Sequence, residues 1–187
     1  MTSNIVFRSV LPEDYRDFLD IYNASFPPDE RRVYQGVSGF EEFLQSKSGL
    51  FHILVAADGC STGERPRGRM LGFLSYWTFP GFVYVEHFAV NPAIRGGGIG
   101  SRMLSRLIEA VSPDVLLEVE LPDTHEAERR IAFYERHGFR VRREYKYIQP
   151  PYGPGQSGME LLLMTHGSVN LDDPGLIPLL HREVYGR

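Results

Sequence analysis

Residues 82–90 (FVYVEHFAV) are apolar almost throughout and rich in β-branched and aromatic side chains, the pattern of a strand covered on both faces. Asn91-Pro92 stops it, because proline lacks the N–H a central strand needs. The period then changes. Ile99, Met103, Leu107 and Val111 recur at the spacing of one helix face, while Arg102 and Arg106 project elsewhere. Upstream, the same reading predicts strands over 4–10, 51–57 and 70–79 and helices over 12–24 and 40–45. A polar, glycine-rich hairpin connection fills 58–69, and Pro80-Gly81 turns the chain into the central strand. Downstream come a strand over 115–121, a helix over 126–137, a strand over 139–148 and, past a Pro/Gly-rich loop, a strand over 159–165. The order is mixed α/β rather than strictly alternating.

Between the central strand and its helix stand Gly96, Gly97 and Gly98. Without a Cβ they accept positive φ and let a ligand approach the backbone closely. Consecutive N–H groups at the positive end of a helix dipole then form a cradle for phosphate or pyrophosphate. Arg95 adds a fixed positive charge at its rim. A Walker loop would close with Gly-Lys and Ser or Thr, and a dinucleotide fingerprint would need a third glycine where Ser101 or Met103 stands. The pattern present is Arg95-x-x-Gly98-x-Gly100 directly after a strand. A second motif, IAFYERHGF over 131–139, ends the helix over 126–137: Gly138 supplies a left-handed exit into Phe139, and Ile131 and Tyr134 share a helix face.

Together these motifs resemble those of the GNAT superfamily of acyl-CoA-dependent N-acetyltransferases. The loop fits the acetyl-CoA signature Gln/Arg-x-x-Gly-x-Gly/Ala, and the helix end fits Phe/Leu-Tyr-x-x-x-Gly-Phe. The element order is similar as well, so the resemblance covers roughly residues 4–165. It implies an α/β (α+β) fold, a mixed and mostly antiparallel central sheet flanked by about four helices, in a domain over 1–167. The tail over 168–187 is expected to dock on that domain or on a neighbouring subunit. The resemblance also implies acetyl-CoA as acyl donor, held by Phe88, Ala89, Val90, Arg95, Gly96, Gly97, Gly98, Ile99, Gly100 and Ser101. The acceptor is then a primary amine of a small molecule or peptide, attacking the thioester directly in a ternary complex, with Tyr134 as the acid beside the sulfur. Many relatives carry an asparagine seven residues before that tyrosine, where this chain has Ala127. A non-catalytic acyl-CoA sensor is the other reading the motifs allow.

The base is harder to find. An alkylammonium of pKa ~10 giving its proton to a carboxylate at ~4.3 costs ~8 kcal/mol, so a carboxylate base needs a raised pKa, a relaying water or an amine that arrives neutral. Glu86, in the central strand, is the expected base, with a structural ion pair to an arginine as the even alternative. Strand alternation points His87 to the opposite face, where a hydrogen-bonded structural role is expected. Glu118 and Glu120 share one face of the next strand, either bordering the acceptor site or solvated, and hint at a cationic amine. In the loop over 147–158, Tyr152 covers the acceptor or merely lies in a connector.

Composition changes this picture little. The 187 residues suit one domain, and 42% hydrophobic with 24% charged residues is ordinary for a globular chain. A net charge of −4 argues against nucleic-acid binding. Cys60 is the sole cysteine, which excludes an intrachain disulfide and fits a reducing compartment. The first ten residues lack a signal-peptide pattern, and no apolar run approaches the ~20 residues of a membrane span. A cytoplasmic monomer or homodimer without a metal site is expected.

Overall fold

The computed structural model describes residues 5–59, 68–94, 97–112 and 114–187, so Cys60, Arg95 and Gly96 lie outside the described residues. One sheet contains β1 (Ile5–Ser9), β2 (Phe51–Asp58), β3 (Met70–Phe79), β4 (Phe82–Val90), β5 (Val115–Glu120), β6 (Arg140–Val141), β7 (Tyr147–Gln149) and β8 (Met159–His166). The strand order is β1-β2-β3-β4-β5-β8-β6, with β7 also pairing β8. Among the described residues every pair is antiparallel except β4–β5. A parallel neighbour needs a crossover, and the helix predicted from the Ile99 periodicity supplies it. The expected fold class, a mostly antiparallel mixed sheet flanked by helices, is what the chain adopts.

Helices α1 (Tyr15–Ser25) and α2 (Gly36–Ser46) cover one face of the sheet, burying Phe18, Ile21, Tyr22 and Phe40 against Phe73, Trp77 and Tyr84. On the other face, α3 (Ile99–Ala110) and α4 (His125–Arg136) bury Met103, Leu104, Leu107 and Ile131 against Leu74, Val83, Val85 and Leu117. Both faces of β4 are therefore covered, as its unbroken apolar run required. The tail forms α5 (Leu176–Leu180), continued by a π-helical turn over His181–Tyr185. Its Leu176, Leu180, Val184 and Tyr185 join the α1/α2 core. No described helix is long and apolar enough to cross a membrane.

The two largest differences from the periodicity lie in the second helix and in the strand after α4. The second helix begins at Gly36, four residues before the expected start at 40, and Tyr34 just ahead of it packs on Phe40 and Phe43. The strand expected over 139–148 divides into β6 and β7, since Arg142-Arg143-Glu144 is charged and Tyr145 N–H closes a turn onto Arg142 O at 3.2 Å.

Candidate active site

The parallel pairing of β4 with β5 spans only Val83↔Val115 to Val85↔Leu117. Past that point β4 stays with β3 and β5 stays with β8, so the two strands part. A cavity of about 430 Å³ occupies the gap, bounded by Glu86, Phe88, Ala89 and Val90 of β4, Glu118 of β5, Gly100 of α3 and Tyr134 of α4. The edge of β4 facing this gap carries free backbone groups. Asn91 N–H donates to Leu71 O of β3 at 2.8 Å. By the alternation of an antiparallel ladder, Val90 and Phe88 turn their N–H groups the other way, toward the departed β5. The bulge described below lies before both residues and leaves this alternation intact.

Strand β4 carries a bulge in this stretch. Ser75 pairs with His87 and Tyr76 with Val85, leaving Glu86 as the extra residue. A bulge resets the alternation of side chains. Glu86 and His87 consequently lie on the same α1-side face: Glu86 contacts Arg32 and Trp77, and His87 packs on Tyr22 and Phe26. This corrects the expectation that the two point to opposite faces. Period-two alternation holds only while each residue has a partner.

The glycine loop and the tyrosine helix are built by backbone geometry. Gly97 and Gly98 take φ of 64° and 68°, the left-handed region that strains any residue with a Cβ. Gly98 is the N-cap of α3 and no described side chain caps it, so the first amides of the helix are available to a ligand. Ile99 is buried beneath α3, while Gly100 and Ser101 are half-buried at its first turn. Helix α4 starts where Thr124 Oγ1 accepts from Ala127 N–H at 3.1 Å. It ends in a Schellman turn: Phe139 N–H reaches Tyr134 O at 3.1 Å, Gly138 N–H reaches Glu135 O at 3.0 Å, and Gly138 sits at φ 85°. The accompanying apolar contact is between the rings of Tyr134 and Phe139, 5.5 Å apart. That turn fixes the Tyr134 ring at the cavity wall, and its hydroxyl hydrogen-bonds no other described residue. Burial pushes its pKa up to about 12.

The carboxylates separate into two kinds. Glu86 is 1% exposed and fully engaged: Arg32 donates to Oε1 through Nε at 3.1 Å and Nη2 at 2.7 Å, and Trp77 Nε1 donates to Oε2 at 2.8 Å. Burial alone would raise its pKa, but the Arg32 charge and the indole N–H hold it below the ordinary value. A carboxylate so held is a poor proton acceptor. The geometry therefore favours the ion-pair alternative for Glu86 over the expected role as base.

Glu118 is the opposite case. It accepts from the Tyr147 hydroxyl on Oε1 and from the Tyr185 hydroxyl on Oε2 at 2.9 Å, and no cation among the described residues is bonded to it. Burial raises its pKa to about 7, with the tyrosine donors opposing and nearby Glu86 adding to the rise. The sequence had marked Glu118 only as a bordering carboxylate, because its partners come from strands and turns far away in the chain. Glu120, on the same strand, is instead paired with Arg130.

A smaller pocket of about 80 Å³ continues the gap, lined by Glu30, His87, Glu118, Glu120, Gln149 and Tyr152 among others. Burial holds His87 below its ordinary pKa; its Nε2 lies 3.0 Å from Glu30 O, which assigns the proton to that nitrogen. Tyr152 lies over both His87 and Arg32, its ring 5.7 Å from the imidazole and 4.8 Å from the guanidinium carbon. The described groups of His, Cys, Asp and Glu contain no set that would hold a metal ion.

Residues 49–141 match the family model described as an acetyltransferase (GNAT) domain. A solved structure of a GNAT-family acetyltransferase from Bacteroides thetaiotaomicron superposes with a TM-score of 0.78 at 36% identity, covering 97% of this chain and 99% of that one. The acetyltransferase YjbC of Bacillus subtilis is 33% identical over 69 residues, 36% of this chain and 35% of that protein. A Salmonella typhimurium acetyltransferase, yncA, solved with its cofactor acetyl-CoA, shares the fold at a TM-score of 0.59 and 20% identity over 90% of this chain and 95% of that one.

Proposed function

The chain belongs to the GNAT acetyltransferase family, and from that premise we propose that it transfers an acetyl group from acetyl-CoA to a primary amine by direct attack in a ternary complex. The observation that carries the proposal is the gap between β4 and β5, which brings one unpaired strand edge, one uncapped helix start, one free phenol and one carboxyl near pKa 7 to a single cavity.

Each part has a task. The amides of Gly97, Gly98, Ile99, Gly100 and Ser101 receive the diphosphate at the start of α3, with Arg95 and Gly96 completing the motif. The free edge of Phe88, Ala89 and Val90 aligns the pantetheine arm, and an N–H of that edge meets the negative charge developing on the thioester oxygen. As the amine nitrogen bonds to the carbonyl carbon and the C–S bond breaks, Tyr134 gives its proton to the departing sulfur and regains one from the nitrogen, which sheds its excess proton as the amide forms. With its pKa at about 12, that transfer to a solvated thiol of ~8.5 costs ~5 kcal/mol. The same burial raises the pKa of the thiol, which narrows the gap.

Glu118 takes the amine's proton. From an alkylammonium at ~10 to a carboxylate at about 7 the cost is ~4 kcal/mol, half that for an ordinary carboxylate. Glu86 and Glu120 are neutralised by Arg32 and Arg130, which leaves Glu118 and Glu30 to give the smaller pocket its charge. A compact cationic amine is the acceptor class that suits this lining.

Free-thiol release from acetyl-CoA across a panel of amines is the test. Activity with short cationic amines is expected. Acetyl-CoA at about 100 times its Kd should also stabilise the protein by ~2.7 kcal/mol. Stabilisation without thiol release from any amine would mark a sensor instead. Tyr134→Phe is expected to lower kcat by roughly 10²-fold, with the KM for acetyl-CoA within about twofold of wild type. Wild-type turnover in that variant would remove Tyr134 from the mechanism.

A further inference from the structure

The C-terminal segment does more than fill the core. Its apolar positions Leu176, Leu180 and Val184 recur every four residues, one face of a helical stretch, and anchor it against the α1/α2 layer. Two cations hold its last carbonyls: Arg32 Nη2 donates to Val184 O, and Lys47 Nζ to Glu183 O at 3.2 Å. The next side chain, Tyr185, is thereby carried to the site. Its hydroxyl donates to Glu118 Oε2 and lies 2.9 Å from the Tyr84 hydroxyl. A hydroxyl has one proton, so with Tyr185 donating to the carboxylate, Tyr84 must donate to Tyr185. Tyr152 packs against the Tyr185 ring at 5.0 Å and keeps it in place.

We propose that Tyr185 is a positioning residue for Glu118, fixing the orientation and basicity of the carboxylate, and that the C-terminal segment thereby supports the acceptor site from behind. The proposal rests on the reading of Glu118 as the base. A carboxylate held by one donor on each oxygen cannot rotate, and it keeps further lone pairs for an incoming ammonium. The remaining groups around Glu118 are fixed by other elements. Tyr84 and Glu86 face it from β4, and Tyr147 from β7. Glu120 beside it is paired with Arg130 of α4, and the Arg32 and His87 side chains stand behind Glu86. Tyr152 and Glu30 line the adjoining pocket. Of these, the tyrosine hydroxyls favour the anion, whereas burial and Glu86 oppose it.

Tyr185→Phe removes one donor and keeps the ring. The acid limb of the kcat/KM profile is expected to move up by about one pH unit, so activity falls roughly fivefold at pH 7, approaches a roughly tenfold loss below it, and recovers at higher pH. Tyr145→Phe deletes an outlying hydroxyl, bonded to Asp172, and should leave the limb where it is. Carboxyl ¹³C NMR of Glu118, read in both variants and wild type, measures the same shift without activity. An unmoved limb and resonance in Tyr185→Phe, or an equal move in Tyr145→Phe, overturns the proposal. Failure of the underlying reading looks different: Glu118→Gln would retain wild-type turnover and the same acid limb.

Discussion

Glu118→Gln is expected to lower kcat by roughly 10²- to 10⁴-fold while the KM for acetyl-CoA stays near wild type. The substitution keeps the shape of the side chain but removes its capacity to take a proton. The two tyrosines that now occupy both oxygens, Tyr147 and Tyr185, would share the one remaining oxygen or turn away. The acid limb of the rate profile, placed near pH 7 by the raised pKa of Glu118, should vanish with the activity. Steady-state kinetics from pH 6 to pH 9.5 or so reads both effects. Turnover within about threefold of wild type would transfer the role to a water or to a neutral amine.

The same carboxyl makes a stability prediction of definite sign. Its pKa is about 7 in the fold against an ordinary 4.5, so the folded state binds the proton more tightly than the unfolded chain. Its contribution to stability is fully present below 4.5 and is lost as pH rises to about 7. The loss amounts to ~3 kcal/mol over that window. Glutamine has no such dependence. Relative to wild type, Glu118→Gln should therefore gain stability between pH 4.5 and 8, measured by urea unfolding at the two ends. A difference that stays constant with pH would mean that Glu118 titrates normally.

The sequence and the structure agree where the determinant is local. The apolar run of β4, the helical period from Ile99 and the left-handed glycines of the loop each depend on a few adjacent residues, and each was legible. The turn beside Tyr134 was legible for the same reason: Gly138 and Phe139, four and five residues on, form it. Glu86 and Glu118 differ because what decides them is distant. The partner of Glu86 is Arg32, 54 residues earlier, in a loop that reads as ordinary solvated chain. The donors to Glu118 are 29 and 67 residues ahead of it. The bulge at Glu86 has no mark of its own, since no glycine or proline interrupts VYVEHFAV. Without it, alternation assigns His87 to the wrong face. Charge alone identified both carboxylates; only their surroundings tell a proton acceptor from an anchor.

Arg32→Ala is expected to destabilise the protein by roughly 3–5 kcal/mol, because it leaves the Glu86 carboxylate buried without its cation. That is a large share of the 5–15 kcal/mol by which domains typically stay folded, and for a chain of this length it corresponds to a Tm lower by roughly 6–20 °C. Lost packing adds to it, since the guanidinium lies over Phe43, Trp77 and Tyr152 and holds Val184 O of the C-terminal segment. The pH dependence separates charge from packing. Glu86 titrates below its ordinary value in the native protein, so the stability it supplies is present above about 4.5 and disappears as the pH falls through its lowered pKa. The penalty of Arg32→Ala should accordingly shrink in acid, where the orphaned carboxyl protonates, and the packing loss should persist. Replacing both partners (Arg32→Met with Glu86→Gln) should recover much of the loss at neutral pH, since breaking a buried pair costs more than exchanging it. If the double variant is no more stable than Arg32→Ala, the arginine acts through its stem and ring contacts, and Glu86 does not need its charge compensated.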